Sequence, residues 1–321
     1  MTLGRMDCFA VTDLGRKRNN NEDQFLVADL VKSATVNACS IGHDECEPVN
    51  GLPQGKLILV ADGMGGHAAG QRASRLAADQ TLKYFLNELP WSGHQSKSIA
   101  ELLSKSEQDQ VACALKQAVK SCQKVILDEA SWNPRYRGMG TTLTLALVQW
   151  PLVYVAHVGD SRCYALRGGN LVQLTCDHTY SQALIDAGEM TADEATRSPL
   201  AHTLWNVIGG NGPSLEPAVD VHQLEIGDSL LLCTDGLTNH VCDDQLGDVL
   251  ASGASAREAC QTLVQLANEG GGRDNITAVV ARFVDANSQR EGFQIEAENN
   301  PLELDFTLSD STLQHIDDET K

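Results

Sequence analysis

The sequence lacks the cysteine patterns of zinc-binding and redox proteins. Ten cysteines occur among its 321 residues, but none forms a C-x-x-C pair, which excludes a zinc ribbon and a thioredoxin motif. Most stand beside apolar residues, as Cys163 and Cys233 do. We therefore expect them to pack as small core residues in a reducing compartment.

Basic residues are also scarce. Lysine and arginine together number 24 against 43 aspartates and glutamates, which gives a formal net charge of −19. A field of that sign repels polyanions, so we expect neither a nucleic-acid partner nor binding to an anionic membrane. It suits a soluble protein that gathers cations.

The chain has no apolar run as long as a membrane span. Its first residues lack the apolar core of a signal peptide, and the longest apolar stretch, residues 141–158, is broken by Gln149 and Pro151. The alternation in that stretch is typical of a hairpin. We therefore predict a cytoplasmic protein with no membrane segment.

The sequence also lacks a P-loop and a Rossmann fingerprint in the strand and helix context that each requires. It shows no repeat of the length found in solenoid proteins.

Charge and periodicity divide the chain into two parts. Apolar residues make up 42% of the sequence, enough for a sizeable core. Residues 285–321 carry a net charge of −8 and show no sustained strand or helix period, so we predict an acidic, disordered tail. Residues 1–284 form the predicted folded domain.

Strands and helices are predicted in blocks rather than in strict alternation. Continuous apolar runs such as residues 57–61 indicate buried strands. The block order favours an α+β fold with packed sheets over a doubly wound sheet. The predicted strands are 8–12, 24–30, 57–61, 143–149, 153–158, 162–166, 171–174, 230–234 and 276–283, and the predicted helices are 69–89, 99–130, 179–197, 244–250 and 256–267.

A polar segment, residues 37–54, separates two of the predicted strands. It contains four side chains that can bind zinc, but no second cluster stands at ligand spacing, so we interpret the segment as a loop. The four residues are His43, Asp44, Cys46 and Glu47.

Aspartates recur at the ends of predicted strands. Asp62, Asp160 and Asp235 each follow an apolar strand, and Asp23 and Asp274 each precede one. One such aspartate is ordinarily a turn residue, but five at strand ends would repel one another unless cations neutralise them. Oxygen ligands select Mg²⁺ or Mn²⁺, and two such ions about 3.5–4 Å apart can activate a water and polarise a phosphoryl oxygen.

Six short motifs contain these aspartates and occur in a fixed order. They are Arg18-Asn-Asn-Asn21-Glu22-Asp23, Asp62-Gly63-Met64-Gly65-Gly66, Gly140-Thr141-Thr142, Gly159-Asp160-Ser161-Arg162, Asp235-Gly236-Leu237-Thr238 and Arg273-Asp274-Asn275. Together they resemble the metal-dependent serine/threonine protein phosphatases of type 2C, the PPM family, over about residues 7–284. The resemblance implies a four-layer α-β-β-α sandwich of two antiparallel sheets flanked by helices.

The resemblance also implies a role for each matched position. Asp62 would bridge two metal ions, and the carbonyl of Gly63 would join the second ion. Asp235 and Asp274 would hold the first ion, and Asp160 would serve a third, weaker one.

Two further positions complete the implied site. Asp23 would support the second ion directly or through water, with Glu22 as its rival. Arg18 would grip the substrate phosphate through bidentate hydrogen bonds. The implied catalytic residues are therefore Arg18, Asp62 and Asp235, and the implied cofactors are two Mg²⁺ or Mn²⁺ ions.

The implied activity is hydrolysis of phosphoserine and phosphothreonine in proteins. A water activated by the ions would attack phosphorus without a phosphoenzyme intermediate. We expect a monomer that acts on substrates of a bacterial-type serine/threonine kinase. Two alternatives stay open, a catalytically inactive regulatory binding module of the same fold and a hydrolase of small phosphate esters. A cysteine-based phosphatase is excluded, because no cysteine is followed six positions later by arginine.

One departure from the family pattern leaves the general acid unassigned. Eukaryotic members place a histidine directly after the Asp-Gly pair, whereas this chain has Met64 there. His67 is interpreted as a locally packed residue at the start of a helix, and a metal-held water could supply the proton instead. Residues 178–217 resemble the family's flap beside the site, which would shape the choice of substrate.

Overall fold

The apolar run at residues 57–61 lies within a long strand at the centre of the fold. The computed structural model describes residues 4–35, 48–66, 68–88, 104–195, 197–210 and 215–285. The strands are β1 (Gly4–Asp13), β2 (Asp23–Thr35), β3 (Pro48–Met64), β4 (Gly140–Thr141), β5 (Leu143–Gln149), β6 (Leu152–Val158), β7 (Arg162–Arg167), β8 (Asn170–Gln173), β9 (Ile208–Gly209), β10 (Ala218–Gln223), β11 (Ser229–Cys233) and β12 (Ile276–Asp285). The helices are α1 (Ala68–Asn87), α2 (Lys105–Trp132), α3 (Tyr180–Asp186), α4 (Ala192–Ala195), α5 (Asp235–Thr238), α6 (Asp243–Ala251) and α7 (Ala256–Glu269), with a 3-10 turn at Pro134–Tyr136.

The strands form two antiparallel sheets. The first sheet has the order β1-β12-β11-β7-β8. The second has the order β10-β6-β5-β3-β4-β9, and β2 pairs with β3 beside this path. Strands that are adjacent in space are therefore often distant in sequence, and both chain halves contribute to each sheet.

The alternation of side chains along β3 determines how the layers stack. Leu57 and Leu59 belong to a core shared with α1 and α2, whereas Ile58 and Val60 belong to a core shared with the first sheet. Successive strand residues point to opposite faces, so the second sheet packs on helices with one face and on the first sheet with the other. A third core joins the first sheet to α6 and α7. The result is the predicted α-β-β-α sandwich.

Most predicted elements overlap an observed one, but one predicted helix is wrong in extent, and four short or edge elements, β4, β9, β10 and α5, have no predicted counterpart. The predicted helix at 179–197 is wrong in extent, because two short helices, α3 and α4, occupy that stretch. The two-residue strand β9 and the edge strand β10 are not predicted from the sequence.

The predicted loop at residues 37–54 is wrong in part. β3 begins at Pro48 and pairs with β2 from there onwards, with register shifts around Val31. Because this part of the hairpin is polar and contains glycine, its sequence lacks the apolar alternation by which a strand is predicted. The zinc candidates of this segment lie outside the described residues: His43, Asp44, Cys46 and Glu47.

Three other expectations can be set against the structure. Cys163 and Cys233 are fully buried, as predicted. None of the described helices is both long enough and apolar enough to cross a membrane. β12 ends at Asp285, and the predicted tail lies outside the described residues from position 286 onwards, so the domain boundary stays a prediction.

Truncation of Leu59 tests the central position of β3. Leu59 is fully buried, so Leu59→Ala should lower the free energy of unfolding by about 2–5 kcal/mol through lost burial and an unfilled cavity. Val172→Ala, at a side chain that is 54% exposed, should change it by less than about 0.5 kcal/mol. Chemical denaturation measures both. Equal effects of the two substitutions would contradict the stacking described here.

Candidate metal-binding active site

Strand ends from both sheets line one pocket. Its volume is about 380 Å³, and it opens where β3 and β6 of the second sheet end near β11 and β12 of the first. Five acidic side chains and one arginine are among its lining residues: Glu22, Asp62, Asp160, Asp235, Asp274 and Arg18. Four of the five aspartates predicted from the sequence are thus brought together.

The fifth aspartate, Asp23, lies beneath the pocket rather than in its wall. It is 2% exposed and is paired in register with Asp62 across β2 and β3. Residues directly opposite on antiparallel strands have side chains on the same face, about 4.5–5.5 Å apart at Cβ. Two carboxylates in that position repel each other, so this pair needs compensation from outside the two strands.

Part of that compensation comes from the first sheet. The hydroxyl groups of Thr234 and Thr277 donate hydrogen bonds of 2.8 and 2.7 Å to Oδ2 of Asp23. Thr234 follows β11 and Thr277 is in β12, so this carboxylate ties the two sheets together. Its Oδ1 has no hydrogen-bond partner in the structure.

Asp62 is held by its backbone, and its side chain lines the pocket. Its N–H donates to the hydroxyl of Thr142 at 2.9 Å, and its carbonyl accepts from the Thr142 N–H at 2.9 Å and from the Thr141 hydroxyl at 2.8 Å. Both threonines support the site through these hydrogen bonds. Gly63 follows directly and packs against Gly70 of α1 so closely that a Cβ on either residue would collide with the other's backbone.

The side chain of Glu22 lies over the contact between Gly63 and Gly70 and lines the pocket. A Cβ on Gly70 would also collide with Oε2 of Glu22. The N–H of Glu22 donates to Oδ1 of Asn275 at 2.9 Å, and the side-chain amide of Asn275 donates to the carbonyls of Leu14 and Asn20 at 3.0 Å each. Asn275 thus fixes the segment that presents Glu22.

Asp160 and Asp235 are perturbed by their surroundings. Desolvation, followed by the charges of Asp235 and Asp177, raises the pKa of Asp160 to about 8. Desolvation and the charge of Asp274 raise the pKa of Asp235, while hydrogen bonds with Asp62 and Asn239 oppose that shift. Oδ1 of Asp235 is buried and has no donor in the structure.

The cross-strand pair of Asp23 and Asp62 is perturbed as well. Desolvation raises the pKa of Asp62 well above its ordinary value, and the charges of Asp23, Asp235, Asp160 and Asp274 raise it further. Desolvation raises the pKa of Asp23 to about 7, against the two threonine hydrogen bonds. The pocket therefore concentrates negative charge that it does not itself neutralise.

Arg18 is the one arginine or lysine in the pocket wall within the described part of the chain. Its Nη2 donates to Oδ2 of Asp274 at 2.6 Å, with side-chain exposures of 51% and 34%. The other carboxyl oxygen of Asp274 accepts from the N–H of Asn275 at 2.8 Å. The predicted phosphate-binding residue and a predicted metal ligand are therefore neighbours at the open side of the pocket.

The donor set fits hard divalent cations. Carboxylate and carbonyl oxygens are the ligands that Mg²⁺ and Mn²⁺ prefer, and two buried carboxylate oxygens, one each on Asp23 and Asp235, lack a partner. Across the described stretches of chain, no group of three or more His, Cys, Asp or Glu side chains is already placed to hold a metal ion. Mg²⁺ usually keeps several waters and takes only one or two carboxylates, so an open acidic pocket suits it.

Sequence reasoning missed several residues of this site. Thr234 and Thr277 position the acidic groups, and threonine beside a strand end gives no signal of that role. His202 and Leu204 also line the pocket. His67 lies outside the described residues, so its predicted packing stays a prediction.

Comparisons with known proteins identify the family. The model of the protein phosphatase 2C family matches residues 40–281. PhpP of Streptococcus pneumoniae, a protein phosphatase, is 34% identical over 276 residues, which covers 86% of this chain and 96% of that protein. The chain belongs to the protein phosphatase 2C family, as the sequence motifs predict.

A second relative is longer than this chain. The serine/threonine protein phosphatase PstP of Mycobacterium tuberculosis is 36% identical over 230 residues, which covers 72% of this chain. The aligned part spans only 41% of that relative's length.

Solved structures agree with the observed fold. The crystal structure of the M. tuberculosis phosphatase PstP has a TM-score of 0.68 at 30% identity and covers 88% of this chain and 100% of that one. A structure of the PstP catalytic domain in complex with two manganese ions has a TM-score of 0.65 at 31% identity and covers 87% of this chain and 99% of that one. The predicted fold is confirmed.

The raised pKa values predict how stability depends on pH. A carboxyl group with a raised pKa binds more protons in the folded than in the unfolded state between its two pKa values, so stability falls as pH rises through that interval. For Asp23 and Asp160 the interval runs from the ordinary 3.8 to about 7 and about 8. In EDTA, the Tm should therefore decrease between pH 5 and pH 8.

Divalent cations should reverse this trend, since they bind deprotonated carboxylates. The rise in Tm on adding Mg²⁺ or Mn²⁺ should be larger at pH 8 than at pH 5, measured by thermal unfolding at fixed ionic strength. An equal rise at both pH values would contradict this electrostatic description of the pocket.

Proposed function

We propose that this chain is a Mg²⁺- or Mn²⁺-dependent protein phosphatase that hydrolyses phosphoserine and phosphothreonine. The observation that carries the proposal is the convergence of four aspartates from both sheets on one pocket that also contains an exposed arginine. Relatives named as serine/threonine phosphatases and a related structure with two manganese ions support it.

The metal ligands in this proposal are those predicted from the sequence, except that Glu22 takes the place of Asp23. Asp62 and the carbonyl of Gly63 stand at the end of β3, Asp235 begins α5, and Asp274 precedes β12. When bound, the two ions would lower the pKa of a water that attacks phosphorus and would polarise a phosphoryl oxygen.

The acidic residues around this set would have secondary roles. Asp160 would serve a third cation, since it lines the same pocket. Glu22 lines the pocket and Asp23 does not, so we assign Glu22 the direct or water-mediated contact with the second ion. Asp23, which accepts two threonine hydrogen bonds, would then hold the strand pair beneath it.

Arg18 would bind the substrate phosphate. A guanidinium group has five N–H donors in a planar fork that matches two phosphate oxygens. The contact with Asp274 uses Nη2 and the side chain is 51% exposed, so an incoming phosphate dianion can reach the group from solvent. The charge of Arg18 also offsets the repulsion that the acidic pocket would otherwise exert on a dianionic substrate.

Each of the two alternative functions predicts a different experimental result. An inactive binding module would bind metal or phosphopeptide without releasing phosphate, although the aspartates expected as ligands are all present here. A hydrolase of small phosphate esters would turn over β-glycerophosphate as efficiently as a phosphopeptide. The kinase that supplies the substrate, the monomeric state and the cytoplasmic location remain part of the proposal.

Phosphate release from a phosphothreonine peptide tests the function directly. The full chain should be active with Mn²⁺ or Mg²⁺ and inactive in excess EDTA. Asp235→Asn should lower kcat by about 10²-fold or more, because a weakened metal site loses the charge stabilisation that the ion would supply at the reacting centre. Asp220→Asn, at an exposed position on β10 away from the pocket, serves as the matched control and should retain activity.

Three outcomes would count against the proposal. Activity that persists in EDTA would exclude a metal-dependent reaction. Full activity of Asp235→Asn would remove the pocket from the mechanism. A folded, metal-loaded protein that releases no phosphate would favour the binding module.

A further inference from the structure

The proposed hydrolysis needs a proton at the leaving oxygen. A seryl or threonyl alkoxide is a poor leaving group, so its oxygen must gain a proton as the P–O bond breaks. Arg18 does not release a proton in proteins, and Met64, which also lines the pocket, carries none. In the proposed function the acidic residues bind cations, so they do not supply the proton. The proton source is therefore missing from the predicted set of residues.

His202 stands at the position where such a source is needed. It lines the pocket together with Arg18, Asp62 and Asp235, and it is the one imidazole that does so among the described residues. Its side chain is exposed and makes no hydrogen bond with another described residue. An imidazole in that state can take up a proton from solvent and deliver it inside the pocket.

The backbone around His202 is fixed on both sides. The N–H of Tyr180 donates to the carbonyl of Thr203 at 2.9 Å, and the N–H of Trp205 donates to the carbonyl of His178 at 3.0 Å. An isolated β-bridge joins Thr179 to Leu204. These bonds hold the residues after His202 against the segment that begins α3.

That segment is in turn attached to the strand end that carries Asp160. The N–H of His178 donates to the carbonyl of Gly159 at 2.7 Å, and the N–H of Gly159 donates to Nδ1 of His178 at 3.2 Å. His178 is 8% exposed and packs on the rings of His157 and Trp205, 4.7 and 5.0 Å away between centroids. The position of His202 beside the acidic groups is thus built into the fold.

The electrostatic surroundings agree with this position. The pKa of Asp235 is raised by desolvation and by Asp274, and the charge of His202 acts in the opposite direction. His202 is therefore close enough to the acidic cluster for their charges to interact.

We propose that His202 is the general acid that protonates the leaving oxygen of the phosphorylated side chain. As the oxygen of water bonds to phosphorus, the electron pair of the breaking P–O bond stays on the seryl or threonyl oxygen, which takes the proton of the imidazolium. The products are the alcohol and inorganic phosphate, and neutral His202 regains a proton from solvent. This inference rests on the proposed function.

Leaving-group dependence distinguishes a proton donor from other roles. His202→Gln and His202→Ala should lower kcat for a phosphothreonine peptide by about 10²-fold or more, whereas p-nitrophenyl phosphate should lose less than about tenfold, because nitrophenolate leaves without a proton. Because the side chain is exposed, both variants should fold, and circular dichroism verifies this.

Two controls isolate the role of the imidazole. Thr203→Ala changes the next residue but keeps the backbone carbonyl that accepts from Tyr180, and it should behave like the unsubstituted chain with both substrates. Calorimetric titration with Mn²⁺ should give the same affinity for His202→Gln as for the unsubstituted chain, since a proton donor does not hold the ions.

Several results would overturn the inference. Equal losses with both substrates, or a weakened Mn²⁺ affinity, would assign His202 to positioning or metal binding. Full activity of both His202 variants would exclude it from the reaction. If Asp160→Ala lost activity with the phosphopeptide but not with p-nitrophenyl phosphate, and the His202 variants stayed active, the proton donor would be a water held at Asp160. An unsubstituted chain inactive with both substrates would refute the proposed function, and this inference with it.

Discussion

Repulsion between carboxylates is the constraint on which this structure depends. Asp23 and Asp62 face each other across β2 and β3, on the side of the second sheet that packs against the first. The sandwich supplies two threonine hydroxyls to Asp23 but none of its own cations to the centre of the pair. Asp160 and Asp235 add further charge at the same place. These groups are neutralised either by protons, as the raised pKa values of Asp23 and Asp160 indicate, or by cations from outside the chain.

The two-sheet sandwich makes this concentration of charge possible. Each sheet ends in rigid backbone at the same edge, and tight local contacts determine where the carboxylates point. The close approach of Gly63 to Gly70 sets the end of β3 against α1, and Asn275 anchors the segment before β2. Because the acidic residues of the pocket come from both sheets, neither sheet alone could form it. Folding and assembly of the pocket are therefore the same event.

The sequence predicts the sandwich and most of the acidic set for clear physical reasons. Continuous apolar runs such as residues 57–61 indicate strands that are buried on both faces, as in a sandwich. Five aspartates at strand ends can share neutralising cations only if they lie together at one edge of the sheets. β10 escapes prediction because it is an edge strand whose half-buried residues lack a clean apolar alternation. Asp235 suggests a turn, yet it begins the short helix α5. The roles of Asn275, Thr277 and His202 depend on contacts between distant segments, which no local pattern encodes.

Crystallography with manganese tests the central claim most directly. Crystals of the full chain grown or soaked with Mn²⁺ would be measured at the manganese absorption edge. We expect two anomalous peaks about 3.5–4 Å apart inside the pocket. Asp62 should contact both ions, and Asp235 and Asp274 should lie beside one of them. Ions bound only outside the pocket, or a fully formed pocket without any anomalous peak at saturating Mn²⁺, would contradict it.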